Sequence, residues 1–217
     1  MKFKFPMPSG FASLFLVQLL TWSLPSAVSA QQLPLISQDV QKSILLEPGV
    51  PIFGSVKADI TVIEYFDYNC PFCKALAPVF RPFIDQDHAA AVLFKEWPVF
   101  GGVSVYAAKS ALAANYQGKY LQAHQALISA PRLAQTSQVD SALAGAGIDM
   151  TRLQTDLIAH RAAIDGLLTR NDTEARGMGL HGTPGVLVGR RIVPGISSLE
   201  ALQSAVALSR RSEAKQR

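Results

Sequence analysis

The sequence is short of cysteine: its 217 residues include only Cys70 and Cys73. Two cysteines separated by two residues close too small a loop to constrain much of the unfolded chain, which argues against a disulfide that serves only as a staple. A chain of this length also buries enough apolar surface to be stable without one. A pair so close in sequence is better explained by chemistry than by stabilisation.

Charge is also scarce. Charged residues make up 17% of the chain and hydrophobic residues 49%, a composition typical of a well-packed globular protein. The 20 basic and 16 acidic residues give a formal net charge of +4, and part of the basic excess lies in a predicted solvated tail, residues 211–217. So small an excess gives no electrostatic case for nucleic-acid binding.

Long apolar runs are limited to the N-terminus. Lys2 and Lys4 precede an apolar run from Phe11 to Trp22, about 12 residues, whereas a membrane-spanning helix needs ~20. Small residues follow up to Ala30. This order of basic, apolar and small-residue regions predicts a secretory signal peptide over residues 1–30, cleaved after Ala30. Export would place the two cysteines where disulfides persist.

Residues 31–57 form a predicted N-terminal arm. Four apolar residues are spaced as one face of a short amphipathic helix: Ile36, Val40, Ile44 and Leu45. An apolar face on a leading arm has to be covered by something. We expect the arm to pack on its own domain, and a homo-oligomer contact is the alternative.

An apolar strand leads directly to the cysteines. Residues 60–66 are apolar on both faces apart from one acidic residue, which is typical of a central, covered strand. Asn69 is the predicted N-cap of the helix that follows, and Pro71 suits its first turn. The helix is expected to end near residue 85, with Pro78 and Pro82 kinking or shortening it.

The remaining patterns predict an α/β fold. A second β-rich run covers residues 91–96, and a long region with helical periodicity runs from Val105 to Met178, with breaks near Gly118, Pro131 and Gly147. A β-hairpin and a final amphipathic helix follow. The predicted order is therefore strand, cysteine-bearing helix, strand, helical block, hairpin and helix.

The cysteine pair at the predicted start of a helix indicates redox chemistry. A thiolate at a helix N-terminus is stabilised by unpaired N–H groups and by the helix dipole, so Cys70 should have a depressed pKa and act as the nucleophile. Cys73, one turn further along, would act as the resolving thiol. Pro71 and Phe72 supply no charge, which predicts a less extreme pKa than a histidine between the cysteines would give.

Metal binding is the competing explanation for the pair. A structural zinc site needs four ligands, and the four histidines are scattered through the sequence, which disfavours zinc. Covalent haem attachment needs a histidine directly after the second cysteine, where this chain has Lys74. A soft metal such as copper, held by both thiolates, stays open as a function of another class.

Three motifs occur in a fixed order: FDYNCPFCK at 66–74, KEWP at 95–98 and GTP at 182–184. Together they resemble the DsbA-like thiol:disulfide oxidoreductases of the bacterial cell envelope, especially the Com1/ScsC-type branch, over roughly residues 45–208. The resemblance implies a thioredoxin fold with an inserted all-helical subdomain. The thioredoxin domain would combine residues 58–102 and 172–210, with the helical insertion at 103–171 between them.

The resemblance also assigns roles to residues outside the pair. Pro184 matches the family's cis-proline, which holds the client peptide, and Thr183 matches the position that tunes redox behaviour. Glu64 matches a buried acid near the active site that would relay the proton of Cys73. Lys95 resembles the paired lysine of that acid on the next strand, with an ordinary strand-end ion pair as the alternative.

The function expected from these features is disulfide exchange with exported, cysteine-containing client proteins in the periplasm. Oxidase activity is the first expectation; isomerase or reductase activity is the alternative, favoured by Thr183 and by any oligomer formed through residues 31–47. No organic cofactor is implied, only a redox-active disulfide between Cys70 and Cys73. A membrane redox partner would reoxidise or reduce the site.

Overall fold

The computed structural model describes residues 1, 34–55 and 57–215. The predicted signal peptide therefore lies outside the described residues except for Met1. The described elements are α1 Gln38–Leu45, β1 Ile52–Gly54, β2 Ile60–Phe66, α2 Pro71–Gln86, β3 Ala90–Glu96, α3 Gly102–Asn115, α4 Tyr120–Ser129, α5 Thr136–Gly145, α6 Met150–Ala159, α7 Arg161–Gly177, β4 Gly185–Val188, β5 Arg191–Ile192 and α8 Leu199–Ala214. The predicted order of elements is confirmed.

The strands form one mixed sheet in the order β1-β3-β2-β4-β5. Strand β2 lies in the centre, parallel to β3 and antiparallel to β4. Every residue of β2 except Thr61 is buried, because layers of side chains cover both faces, as its apolar pattern predicted. The central position brings the C-terminal end of β2, and with it the cysteines, to the middle of one sheet edge.

Successive side chains of β2 point into two different hydrophobic clusters. Val62 and Phe66 pack in the larger cluster, which contains both cysteines and the apolar residues of α2, the helical block and α8. Ile63 and Tyr65 pack on the other face. Ile44 of α1 is fully buried in that second cluster, so the arm packs on its own chain.

The N-terminal arm contains a strand that the sequence did not predict. Strand β1, Ile52–Gly54, pairs antiparallel with β3 at one edge of the sheet. Three residues are too few to show a periodic pattern. At the opposite edge, Ile36 N donates to Arg190 O at 2.9 Å and Ile192 N donates to Pro34 O at 3.0 Å, which fastens the start of the arm beside β5.

Helix α2 runs from Pro71 to Gln86, so its predicted end near residue 85 is confirmed within one residue. The helix continues through Pro78 and Pro82, which do not shorten it. Both prolines are exposed, whereas the opposite side of the helix is buried against the sheet. Burial of that apolar side offsets the hydrogen bonds that the prolines remove.

The helical block ends where its periodicity predicted, and the last helix includes part of the predicted tail. Helix α7 continues to Gly177, so the domain boundary placed at residue 171 lies within this helix. Helix α8 continues to Ala214 and so includes the first part of the predicted basic tail, of which residues 216–217 lie outside the described residues. The buried Ser209 hydroxyl donates to Val188 O at 3.1 Å, which fastens this last part of α8 to the sheet.

Candidate active site

The two cysteines lie at the first turn of α2 as free thiols, 1% and 0% exposed. Cys70 is itself the N-cap residue: its Sγ accepts the N–H of Cys73 at 3.4 Å. The predicted cap at Asn69 is therefore wrong, because the side chain of Asn69 turns away from the helix. With Pro71 at the first helical position, the local sequence places a sulfur atom where a helix normally has a hydroxyl or carboxylate.

The environment of Cys70 favours its thiolate. Hydrogen bonding from the Cys73 thiol and from Thr183, together with the backbone N–H groups of Phe72 and Cys73, lowers the pKa of Cys70 to about 6 against the opposing effect of burial. In the thiol form, Sγ donates to Thr183 O at 3.2 Å. The buried Thr183 hydroxyl has no other hydrogen-bond partner in the described part of the chain.

The pKa of Cys73 is shifted in the opposite direction from that of Cys70. Burial raises the pKa of Cys73, and the hydrogen bond that it donates to Cys70 and the nearby charge of Glu64 raise it further. At neutral pH the pair therefore holds one thiolate and one thiol.

Glu64 lies on the same face of β2 as the cysteine cluster and is buried. Burial raises its pKa well above the usual range, and the negative charge of Cys70 raises it further. Its Oε1 has no hydrogen-bond partner within residues 34–55 and 57–215. The structure therefore brings this acid close to the cysteines, as expected.

The predicted partner of Glu64 is wrong. In the parallel register Glu64 lies opposite Phe94 and Tyr65 lies opposite Lys95, so Lys95 points to the other face of the sheet. There its Nζ donates to Glu47 at 2.6 Å and also to Glu174. Lys95 belongs to a buried ion-pair cluster that joins the N-terminal arm to α7.

The loop before β4 carries the other predicted site residues. The Thr183–Pro184 peptide bond is cis. Because Gly185 pairs with Tyr65 in the antiparallel register, Thr183 lies beside the end of β2, where it contacts Cys70. A Cβ atom on Gly185 would lie 2.6 Å from Leu180 Cδ1, so a larger residue there would require the leucine side chain to shift.

Three exposed apolar side chains lie in α2 and in the loop after β3. Phe72 is 72% exposed and Phe100 is 59% exposed, and Val99 is also exposed. Phe100 N donates to Asp67 Oδ2 at 3.0 Å, which holds the loop after β3 against the loop that precedes Cys70. Sequence reasoning named Phe72 but missed Val99 and Phe100, whose position depends on this long-range bond.

Lys74 was also missed as a site residue. Its Nζ donates to the carbonyls of Leu127, Ile128 and Ala130 at 3.3, 3.2 and 2.6 Å. The lysine therefore caps the C-terminal end of α4 and fixes the helical block beside α2. Burial lowers the pKa of Lys74, while the nearby charges of Asp67 and the two cysteines oppose that change.

A cysteine pair at a helix N-terminus, beside a cis-proline loop on a mixed sheet, defines the thioredoxin class of folds. A family model described as a DSBA-like thioredoxin domain matches residues 61–207, and the chain belongs to this DsbA-like family. The predicted α/β thioredoxin fold with inserted helices is confirmed.

Solved structures agree with this assignment. A thioredoxin-like oxidoreductase from Silicibacter pomeroyi DSS-3 is 32% identical, with a TM-score of 0.74, and the match covers 81% of this chain and 99% of that one. The catalytic domain of ScsC from Proteus mirabilis is 23% identical, with a TM-score of 0.71, and the match covers 80% and 96%. At 23% identity, the similarity to the ScsC domain shows a shared fold only.

A curated relative is much longer than this chain. The Na(+)/H(+) antiporter NhaA 3 of Salinispora tropica is 27% identical over 156 residues, which is 70% of this chain but 24% of that protein. The chain thus spans about a quarter of that relative's length. In the described residues no helix has the length and apolar character needed to cross a membrane.

Proposed function

We propose that this protein is a thiol:disulfide oxidoreductase that acts on cysteine-containing client proteins. The observation that carries the proposal is the opposite shift of the two thiols, with the pKa of Cys70 lowered to about 6 and that of Cys73 raised. A stabilised thiolate is both a nucleophile and a good leaving group in disulfide exchange. The buried Cys73 is the second thiol that the reaction needs.

In the oxidising direction, a client thiolate attacks Cys70 Sγ of the Cys70–Cys73 disulfide. The S–S bond breaks, a mixed disulfide forms at Cys70, and Cys73 leaves as a thiolate that takes up a proton. A second client thiolate then attacks the client sulfur of the mixed disulfide and releases the Cys70 thiolate. Two electrons pass from the client, which gains a disulfide, to the protein, which becomes a dithiol.

The client binding surface that we propose is the apolar area around the thiols. Phe72, Val99 and Phe100 are exposed there, and the Thr183–Pro184 loop is beside Cys70. An extended client segment would lie along this loop, with apolar side chains against the three exposed residues. This surface would accept segments of a client that are not yet folded.

The direction of exchange depends on the reduction potential. Stabilising the Cys70 thiolate stabilises the reduced protein and favours the oxidase, which is our first choice. Thr183 beside the cis-proline favours an isomerase or reductase, as does any oligomer formed through the arm, where Val40 and Leu46 remain exposed. A change of ~30 mV in potential alters the equilibrium tenfold for this two-electron couple.

A combined assay tests the proposal. We expect the oxidised mature protein to introduce disulfides into reduced ribonuclease, with the reduction potential measured on the same preparation. Reshuffling of scrambled ribonuclease that is lost when the exposed Val40 and Leu46 of the arm are replaced by polar residues would instead identify an oligomeric isomerase. Tight stoichiometric Cu(I) binding without turnover of any disulfide would contradict the oxidoreductase function and favour copper binding by the two thiolates.

The predicted signal peptide supports export to the periplasm as part of the proposal. There the protein would meet secreted clients and a membrane redox partner that resets the cysteine pair. Fractionation of cells that express the full sequence is expected to place a shortened chain, cleaved after Ala30, in the periplasm. A full-length chain in the cytosol would contradict this location.

Glu64 is the proposed proton relay for Cys73. Because burial raises its pKa, the Glu64 carboxylate is a stronger base than an ordinary glutamate, and it would accept the Cys73 proton while Cys73 attacks the mixed disulfide. We expect Glu64→Gln to slow resolution of a preformed mixed disulfide about tenfold at high pH, where wild-type Glu64 is ionised. Rapid quenching measures the resolution rate at each pH. The rate of Glu64→Gln should lack the rise that ionisation of Glu64 causes in the wild-type protein.

Stability measurements provide the control for this variant. Folded Glu64 keeps its proton above the ordinary glutamate pKa, about 4.3, whereas the unfolded chain releases it. The wild-type protein therefore loses stability from this group as pH rises above that value, and Glu64→Gln should not. A variant that folds and shows this smaller loss, but resolves mixed disulfides at the wild-type rate at every pH, would exclude the relay.

A further inference from the structure

The turn before Cys70 is fixed by hydrogen bonds that the exchange reaction itself does not use. Asp67 is buried, and its Oδ1 accepts the N–H of Asn69 at 2.7 Å and the hydroxyl of Ser104 at 2.7 Å. The carbonyl of Asp67 accepts the N–H of Cys70 at 3.0 Å. These bonds determine the direction in which the chain enters α2.

The side chain of Asn69 makes a second set of bonds, to the helical block. Its Oδ1 accepts the N–H of Leu133 at 2.8 Å, and its Nδ2 donates to Leu133 O at 3.0 Å and to Ser104 Oγ at 3.1 Å. One amide group thus binds both backbone groups of a single buried residue. The Asn69 clamp, defined as these bonds to Leu133 and Ser104, joins the residue before Cys70 to the segment between α4 and α5.

The same segment is also held from inside α2. Lys74 donates to Ala130 O at 2.6 Å, three residues before Leu133. The residue before Cys70 and the residue after Cys73 therefore both bind the segment that contains Ala130 and Leu133. The cysteine pair lies between two attachments to the helical block.

We propose that Asn69 is a positioning residue, which holds Cys70 Sγ at the N-cap of α2 by clamping the preceding turn to Leu133. The inference rests on the proposed role of Cys70 as the nucleophile. Each hydrogen bond that stabilises the Cys70 thiolate requires a short distance between donor and acceptor and a nearly linear angle at the hydrogen. If the turn shifts, Sγ leaves the N–H groups of Phe72 and Cys73 and its contact with Thr183.

The chain offers a matched control for the Asn69 clamp. Gln117 also binds both backbone groups of one residue, since its Nε2 donates to Asp149 O at 3.0 Å and its Oε1 accepts Asp149 N–H at 3.1 Å. This pair lies wholly within the helical block. Gln117→Ala therefore removes the same kind of bonds as Asn69→Ala without touching the turn before Cys70.

The experiment measures ionisation of Cys70 in the reduced mature protein, by thiolate absorbance against pH and by the rate of alkylation with iodoacetamide. For Asn69→Ala we expect the Cys70 titration to move towards the ordinary cysteine value of about 8.5, and alkylation near pH 6 to slow about three- to tenfold. Ser104→Ala, which removes one bond of the clamp and the hydrogen bond that Ser104 donates to Asp67, should shift the titration in the same direction. Gln117→Ala should titrate as the wild type does.

Two results would overturn the inference: a wild-type Cys70 titration in folded Asn69→Ala, or an equal shift in Gln117→Ala. Should Asn69→Ala fail to fold, Ser104→Ala and Asn69→Ser give the same readout, and an unshifted titration in both would overturn it. The proposed function is tested separately by the ribonuclease assay. A shifted titration in a protein whose wild type exchanges no disulfides would retain the role of Asn69 and reject the function.

Discussion

Replacing Cys70 by alanine is expected to abolish disulfide exchange, whereas replacing Cys73 by alanine should leave the protein joined to its clients. Cys70 provides the thiolate that attacks or is attacked, and the other cysteine of the sequence, Cys73, is buried and has a raised pKa, so it does not replace Cys70. Without Cys73, the mixed disulfide at Cys70 has no internal thiol to break it. Alanine at position 70 should thus prevent the mixed disulfide from forming, whereas alanine at position 73 should prevent its resolution.

The two variants can be compared in one experiment. Each reduced variant is mixed with an excess of a peptide disulfide, quenched with acid and separated without reductant. We expect a peptide adduct of Cys73→Ala that excess dithiothreitol releases, and no adduct of Cys70→Ala. An adduct of similar yield on Cys70→Ala would reverse the assignment of the two thiols, and no adduct on either variant would count against exchange altogether.

Replacing Lys95 by methionine is expected to lower the free energy of unfolding by about 3–5 kcal/mol, the usual result of removing one partner from a buried ion pair. The ammonium group of Lys95 is fully buried between Glu47 and Glu174. Methionine keeps the apolar length of the side chain but leaves two carboxylates without their shared cation. The ion pair of Arg170 with Glu47 and the hydrogen bond from Tyr65 to Glu174 compensate only in part for the lost cation.

Chemical denaturation of the oxidised proteins measures this loss. Arg81→Ala is the control, because the ion pair between Arg81 and Asp85 is exposed on both sides and its removal should cost at most about 1 kcal/mol. Lys95 points away from the cysteine cluster, so the alkylation rate of Cys70 in folded Lys95→Met should equal that of the wild type. A loss of stability no greater than that of Arg81→Ala would contradict the role assigned to the cluster.

Much of the fold could be predicted because its signals are local. The apolar pattern of residues 60–66 identifies the central strand, and breaks at Gly118, Pro131 and Gly147 separate consecutive helices. The three residues of β1 carry no such pattern, since pairing with β3 decides their conformation. The extent of α2 was predicted, but its prolines do not shorten it, because burial of one helix face outweighs their local preference.

In the candidate site, too, some residues could be predicted from the sequence and others could not. Cys70, Cys73, Thr183, Pro184 and Glu64 are placed together by the structure, as motif spacing and family resemblance predicted. The pairing of Lys95 with Glu64 failed because a strand register shifted by one residue reverses the face of every side chain. Asn69 and Lys74 act through backbone groups far away in sequence, and such contacts leave no signal in residue types.

The bonds from the turn and from α2 to the helical block bear on whether the insertion is a separable module. Excising residues 103–171 would remove hydrogen-bond partners on both sides of the cysteine pair. Asp67 would lose Ser104, Asn69 would lose Leu133, and Lys74 would lose every carbonyl that it binds. It would also uncover the hydrophobic cluster in which both cysteines are buried. A minimal thioredoxin domain cut from this chain would therefore keep the cysteines, Phe72 and Thr183, but lose the contacts that hold the turn before Cys70 and the first turn of α2 in place.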